Sequence, residues 1–536
     1  MSSSVADQRT VTNVLAEAVR RVPDKPWIVT ENGAVSFREL DALSDRLARG
    51  LAEAGLSAGD TLIVMLPDVV ELVAVWVACC KRGVVEVPVN TAYRGDILVH
   101  LVNDSGARTA IVADRFLDRF DAVSERISGL GRYFVYPADG EGVPQPALLP
   151  SVAPFTDLLS DSNVPLDHRP RESDLMAIMY TSGTTGNSKG VMVAHAHAYE
   201  YADGCATVVE LEEADVYYSA GLPLFHIAGK WGVVYASAIR RATAVVPTQF
   251  STRNFWDDVR TYGATATYLL GAMANFLQRQ PPTERDADNP MRKVLMCPLL
   301  PDVADFASRF DVRVGTAYGS TEVNAPILMP LGTPVTDNQV VGRERADKFE
   351  VMIADENDRP VGPNVLGEIL VRPVEPWVTM LGYWNQPEAT TRMWRNLWLH
   401  SGDAGRRDEH GNLYFVDRIK DTIRRRGENI SSMEIEGIVN QHPAVLECAL
   451  FPVKSEHTEE EVMAAVVIRP GHTLTHEELI RFLEPRMAYF MVPRYVDFVK
   501  ELPKTPTGKV RKHILRETGI TPTTWDREAA GVKVSR

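Results

Sequence analysis

Between Tyr180 and Val191 lie Thr181, Ser182, Gly183, Thr184, Thr185, Gly186, Lys189 and Gly190. Glycines let the backbone approach a ligand closely. Hydroxyls and backbone N–H groups donate to anionic oxygens. Lys189 adds a positive charge. These residue types at this density call for phosphate chemistry. The spacing is not that of a Walker A loop, because no Gly-x-x-x-x-Gly-Lys-Ser/Thr runs through it. His195 and His197 form a His-x-His pair with no third or fourth ligand in view, so no metal site is expected there.

The elements that must position this loop follow from pattern. Leu175 to Met179 reads as a buried strand feeding it. Upstream, Ser36-Phe-Arg-Glu39 is a capping box, with Leu40, Leu43, Leu47 and Leu51 at helical spacing behind it and Gly55 closing the run. Strands are expected at Thr61–Leu66, Val84–Val89 and Ala110–Val112, with helices at Val70–Lys81 and Asp96–Asn103. Downstream, strands are expected at Ala244–Val246, Ala266–Leu270 and Val294–Cys297, and a helix at Thr252–Tyr262. Alternating strands and helices imply parallel sheets with helices on their faces. From Glu350 to Val371 the pattern shortens to a β-rich subdomain, and after Arg418 it becomes a compact α+β unit. The tail after Thr518 reads as mobile.

A chain of 536 residues is too long for one core. A net charge of −14 argues against a general nucleic-acid binder and a polybasic membrane anchor. Cys79, Cys80, Cys205, Cys297 and Cys448 are scattered without metal spacing, which points to reduced thiols in a cytoplasmic protein. No signal peptide is read at the N-terminus, and Leu72–Cys80 is too short an apolar run to cross a bilayer.

Further motifs follow in order: Gly221-Leu-Pro-Leu-Phe-His-Ile-Ala-Gly229, Tyr318-Gly-Ser-Thr-Glu322, Gly367-Glu-Ile-Leu-Val-Arg372 and Gly382-Tyr-Trp-Asn-Gln-Pro-Glu-Ala-Thr390. Then come Trp398-Leu-His-Ser-Gly-Asp403, Asp417-Arg-Ile-Lys-Asp421, Gly427-Glu-Asn-Ile-Ser431 and Pro506-Thr-Gly-Lys-Val-Arg511. From about Thr10 to Leu515 the set resembles the adenylate-forming superfamily of acyl-CoA synthetases, peptide-synthetase adenylation domains and luciferases. The resemblance implies an α/β fold. A large N-terminal domain of stacked αβα sheets with a β-rich subdomain would span 1–419, and a small mobile α+β domain 420–536. It also implies two half-reactions: a carboxylate attacks the α-phosphate of ATP, and a thiol, usually that of CoA, then displaces AMP.

By the same resemblance, the Thr181–Lys189 loop binds the β- and γ-phosphates. Thr321 meets the α-phosphate, Glu322 ligates Mg²⁺, and Tyr318 stacks on adenine beside Gly319. Asp403 and Arg418 hold the ribose. Lys509 serves adenylation, Gly427 the thiol channel, and Lys420 is the hinge between half-reactions. His226 gates the acyl pocket, in which Lys230, Trp231, Gly271 and Gly315 are also placed.

Ser188 stands where the family usually has Pro, and Ala194 where it usually has Ser or Thr. Leu295-Met-Cys-Pro298 replaces a glycine-rich wall and should narrow the pocket. That wall, with Gly427-Glu-Asn-Ile-Ser431 and Asp417-Arg418, is similar to the carnitine/crotonobetaine–CoA ligase branch. The same branch includes diazotase-like enzymes that adenylate nitrite and pass it to an aromatic amine. Lys230, directly after the His226 motif, would meet an anionic or polar substrate group unless an internal salt bridge or a route to water accommodates it. The leading expectation is a ligase for a small polar or aromatic acid, with ATP, Mg²⁺ and CoA. A non-CoA acceptor, with nitrite or another oxyanion activated, is the alternative. A non-catalytic scaffold is disfavoured because Glu322, Asp403 and Lys509 are all present. The oligomeric state is left open, a homodimer included.

Overall fold

Leu62, Ile63, Val64 and Met65 are all buried in the strand Thr61–Met65, and so is every residue of Thr109–Ala113. Near-continuous apolar runs of this kind belong in parallel sheets covered on both faces. The computed structural model describes residues 9–138, 148–181, 188–425, 428–454, 460–504 and 509–534. Among these, the chain divides into two units. The larger spans 9–181, 188–351 and 371–399, and the smaller 352–370 and 400–534.

In the larger unit, one sheet runs in the order Gly382–Tyr383, Lys189–Ala194, Leu175–Thr181, Val85–Pro88, Thr61–Met65, Thr109–Ala113, Arg132–Tyr136, Val152–Pro154. Its interior is parallel, and the antiparallel hairpin Leu175–Thr181 with Lys189–Ala194 carries the glycine-rich loop. The helix Phe37–Glu53 begins at the expected capping box, with both reciprocal bonds formed between Ser36 and Glu39. It buries Leu40, Leu47 and Leu51. The helix Val70–Arg82 buries every residue from Leu72 to Cys80, so the longest apolar run is a core helix. No helix among the described residues is long and apolar enough to cross a membrane.

A second sheet of this unit takes Lys293–Cys297, Ala266–Leu270, Val216–Tyr218 and Thr243–Val245 in parallel. Arg313–Ser320 joins beside Lys293–Cys297 and turns back as the antiparallel strand Asn324–Met329. Strand Ala266–Leu270 has the expected bounds. The helix expected from Thr252 begins at Phe255, because the Ser251 hydroxyl accepts the Asn254 N–H and holds a turn there. Leu295 and Met296 are fully buried, so the narrowing expected of residues 295–298 falls to half-buried Cys297 and exposed Pro298.

The smaller unit contains the strand Trp398–Arg407 from His400 onward, paired antiparallel with Leu413–Arg418, and a sheet ordered Val445–Lys454, Glu460–Ile468, Tyr495–Phe498, Trp525–Asp526. Ile435, Leu450, Val466, Leu479 and Leu483 help fill its core. The expectation of a mobile tail is corrected here. Trp525–Asp526 pairs antiparallel with Tyr495–Phe498, Asp526 accepts from Arg494 at 3.0 Å, and Arg527 is buried against backbone carbonyls. Trp525, Val532 and Val534 pack against the core of the unit. These apolar residues are too scattered to form a helical or strand stripe, so strand addition and ion pairing fix the tail where periodicity gives no sign of it.

Candidate active site

The hairpin Leu175–Thr181 with Lys189–Ala194 brings Thr181 opposite Lys189, closing the stem of the loop. Ser182, Gly183, Thr184, Thr185 and Gly186 lie outside the described residues, as does Gly427. The stem explains its own residues. A side chain at Gly190 would meet Ile178 Cγ2 at 2.6 Å and the Tyr180 ring at 3.2 Å. Tyr180 donates to Asp104 at 2.6 Å, and the His100 ring nitrogen lies 2.9 Å from the Ser188 carbonyl oxygen. Burial and the Asp104 carboxylate both push the Tyr180 phenol above its ordinary value.

Thr321 and Glu322 sit in the turn between Arg313–Ser320 and Asn324–Met329. A side chain at Gly319 would come within 2.0 Å of the Asn324 carbonyl oxygen, so only glycine allows this turn. Asn324 adopts φ +72° and is fully buried; its amide donates to the carbonyls of His197 at 2.9 Å and Val378 at 2.7 Å. Tyr318 and Thr321 are each 6% exposed. Glu322 is half-buried, and its Oε1 accepts from Thr181 Oγ1 at 3.4 Å and from the Tyr383 hydroxyl at 3.2 Å. Lys189 Nζ stands 4.8 Å from the centre of the Tyr383 ring. The larger unit thus gathers Thr181, Lys189, Glu322 and Tyr383 at the mouth of one hairpin. Tyr383 and Asn324 are missed by sequence reasoning; the place of Tyr383 inside the Gly382 motif is its only signal.

A half-buried carboxylate with a hydroxyl beside it suits Mg²⁺, a hard cation that takes one or two protein carboxylates and completes its shell with phosphates and water. His195 and His197 are buried, and burial pushes their pKa values down to about 4 and about 3. Both rings are therefore neutral inside the His195–Val208 helix.

Lys230 requires a correction. It lies in a π-helical segment, Lys230–Tyr235, continuing from Ile227–Gly229, and it is 1% exposed. Its ammonium pairs with Glu86, itself 1% exposed, on the strand Val85–Pro88. The charge is neutralised inside the protein, as burial at that depth demands of an ammonium. Trp231, also 1% exposed, packs against His197 and Tyr201. His226 is half-buried and caps the short Ile227–Gly229 helix, its Nδ1 accepting the Ala228 N–H at 3.2 Å, which leaves the ring proton on Nε2. Gly271 and Gly315 are explained by packing: their missing side chains would meet Pro298 O at 2.8 Å and Met329 O at 2.7 Å.

In the smaller unit, Asp403 and Arg418 face each other across the 398–407 and 413–418 strands, with Arg418 Nε 3.3 Å from Asp403 Oδ1. Next to them, Asp417 accepts the Ser432 N–H at 2.7 Å and its hydroxyl at 2.5 Å. Lys512 meets both the Ser432 hydroxyl and the Glu436 carboxylate. Burial opposes the charge on Lys512, yet Glu436 and Asp417 outweigh it and lift its pKa. The Lys420 carbonyl accepts from Arg516 at 2.8 Å, and Arg516 also pairs with Asp421. Lys509 is exposed, beside a bridge between Lys504 and Val510. Lys512 and Arg516 are also missed by sequence reasoning; both follow Lys509 on the Lys512–Thr518 helix.

The fold and this site define an adenylate-forming enzyme, and the chain belongs to the AMP-binding enzyme family, which matches residues 15–384, with the family's C-terminal domain matching 434–509. It is an acid–thiol ligase of the acyl-CoA synthetase type, a class that uses ATP, Mg²⁺ and CoA. The chain is 31% identical over 494 residues to a crotonobetaine/carnitine–CoA ligase of Escherichia coli (strain UMN026), covering 89% of this chain and 92% of that one. ATP-bound MatB from Rhodopseudomonas palustris superposes with a TM-score of 0.83 at 26% identity, covering 94% and 98% of the two chains. The anthranilate CoA ligase AuaEII, in complex with anthranoyl-AMP, shares the fold with a TM-score of 0.82 at 22% identity, over 94% and 96% of the chains.

Proposed function

We propose that this chain is an ATP-dependent carboxylate–CoA ligase for a small polar or aromatic acid, working through an acyl-adenylate in the cytoplasm. The observation that carries the site assignment is the meeting of Thr181, Lys189, Glu322 and Tyr383 at one hairpin mouth. Lys189 and the 181–189 loop hold the β- and γ-phosphates. Thr321 donates to the α-phosphate, and Glu322 takes Mg²⁺, which when bound neutralises charge on the triphosphate. Tyr318 stacks on adenine, and Gly319 permits its approach. Asp403 accepts from the ribose hydroxyls while Arg418 orients it. Lys509 supplies a point charge where negative charge develops as the carboxylate attacks. Residues 420–536 turn about Lys420 between half-reactions, exchanging Lys509 for the Gly427 segment, and His226 gates the passage from acid to thiol.

Two observations support the substrate class and compartment. The curated relatives are named for the small acids crotonobetaine and carnitine and for CoA, which favours CoA over an amine acceptor. The cysteines are free thiols, as a reducing compartment keeps them. The test is pyrophosphate release from ATP with a panel of acids and nitrite, with and without CoA. Small polar or aromatic acids should give release and, with CoA, a thioester. A preference for long-chain fatty acids, or nitrite-driven release indifferent to CoA, refutes the reading.

A further inference from the structure

We propose that Tyr383 is a positioning residue for adenylation, fixing the Glu322 carboxylate and the Lys189 ammonium relative to one another; this rests on the reading of Glu322 as the Mg²⁺ ligand. The tyrosine is 7% exposed, yet it touches two groups of opposite charge. Its hydroxyl donates to Glu322 Oε1 at 3.2 Å, with Met393 Sδ a weaker neighbour at 3.6 Å. A carboxylate is the stronger acceptor, so the proton goes to Glu322. Its ring face lies 4.8 Å from Lys189 Nζ, within cation–π range. One rigid side chain therefore touches both the anion expected to hold the metal and the cation expected to hold phosphate.

The backbone makes this placement firm. Tyr383 pairs with Val191 on the strand that carries Lys189, and its N–H donates to Thr390 Oγ1 at 2.9 Å. The next residue, Trp384, donates through its backbone to Gly190 at 2.7 Å and through its indole to Asp104 at 2.9 Å. Gly382, at φ +136°, leaves no room for a side chain against Thr390. A two-residue strand held this tightly has little freedom, which suits a residue that sets geometry. Among the described residues, both side-chain bonds to Glu322 fall on Oε1. Glu322 would be the carboxylate that holds a metal, and the affinity of such a ligand depends on how its outer partners orient it.

The experiment uses the full chain with Tyr383→Phe, Tyr383→Leu and Glu322→Gln. The first readout is Mn²⁺ binding in the presence of ATP and no acid, followed by the electron paramagnetic resonance signal of free Mn²⁺. The second is the Mg²⁺ dependence of acid-dependent ATP–pyrophosphate exchange. Tyr383→Phe keeps the ring and loses the hydroxyl. It should weaken Mn²⁺ binding by about 10-fold and raise the Mg²⁺ requirement in parallel, with the KM for ATP at saturating Mg²⁺ unchanged. Tyr383→Leu should in addition raise that KM, because Lys189 loses its ring. Wild-type Mn²⁺ binding in Tyr383→Phe, with weakened binding in Glu322→Gln, overturns the role of Tyr383 alone. Wild-type binding in Glu322→Gln overturns the reading of Glu322 and this proposal with it. The phenylalanine variant preserves packing, so the test stands even if the leucine variant fails to fold.

Discussion

Replacing Lys230 separates an internal ion pair from a substrate contact. Lys230→Met keeps most of the side-chain length and removes the charge, which strands the Glu86 carboxylate at 1% exposure. Removing one member of a buried pair costs about 3–5 kcal/mol, because the other charge stays desolvated. For a cooperative unit of roughly 350–400 residues, with about 2.1 cal/mol/K of unfolding entropy per residue, this is a Tm decrease of about 4–6 °C. Burial already holds the Glu86 carboxyl above its ordinary value, and the charge and hydrogen bond of Lys230 pull it down. In the variant that pull is gone and the carboxyl rises further.

The sign of the pH effect follows. A raised carboxyl pKa means the folded variant holds a proton that the unfolded chain has released. Its stability therefore falls as pH rises from the ordinary carboxylate range up through the folded pKa. The Tm deficit of Lys230→Met should be larger at pH 8 than at pH 5.5. Lys230→Met combined with Glu86→Leu should recover most of the loss, since an apolar pair of similar volume is tolerated where a lone charge is not. Differential scanning calorimetry at the two pH values, with KM for the acid measured well below Tm, checks all of this. If Lys230→Met raises KM for the acid by about 10-fold or more, equal to at least about 1.4 kcal/mol of lost binding, while Tm stays unchanged, the ion-pair reasoning is refuted.

Lys509→Ala should lower acid-dependent pyrophosphate exchange by about 100–1,000-fold, the usual cost of removing one transition-state charge partner, while a supplied acyl-adenylate is still converted to thioester. Near-normal exchange would refute the assignment. Lys420→Pro fixes φ at a proposed hinge; adenylate formation should persist and thioester formation fail in single-turnover assays, whereas equal loss of both would argue against rotation there. Truncation after Thr518 removes the Trp525–Asp526 strand and the Arg494–Asp526 pair. It should destabilise the smaller unit by about 1–3 kcal/mol, read as a lower urea midpoint for that unit, and an unchanged midpoint would show the tail to be dispensable.

What is legible in the sequence is local. A strand such as Ala266–Leu270 or a capping box such as Ser36–Glu39 is written in neighbouring residues, so pattern places it closely. Glu322 and Lys189 are legible by residue type within short motifs. What is not legible is what each charged group meets. Lys230 and Glu86 are 144 positions apart, and nothing beside either residue announces the other. Tyr383 lies 61 positions from Glu322 and arrives beside Lys189 only because its two-residue strand adds to the edge of the hairpin. The tail escapes the pattern for the same reason: Asp526 finds its partner Arg494 at a separation of 32 positions. This difference bears on specificity. A motif lysine that folding has already paired presents the substrate with no charge, and a motif tyrosine between a cation and an anion acts on both.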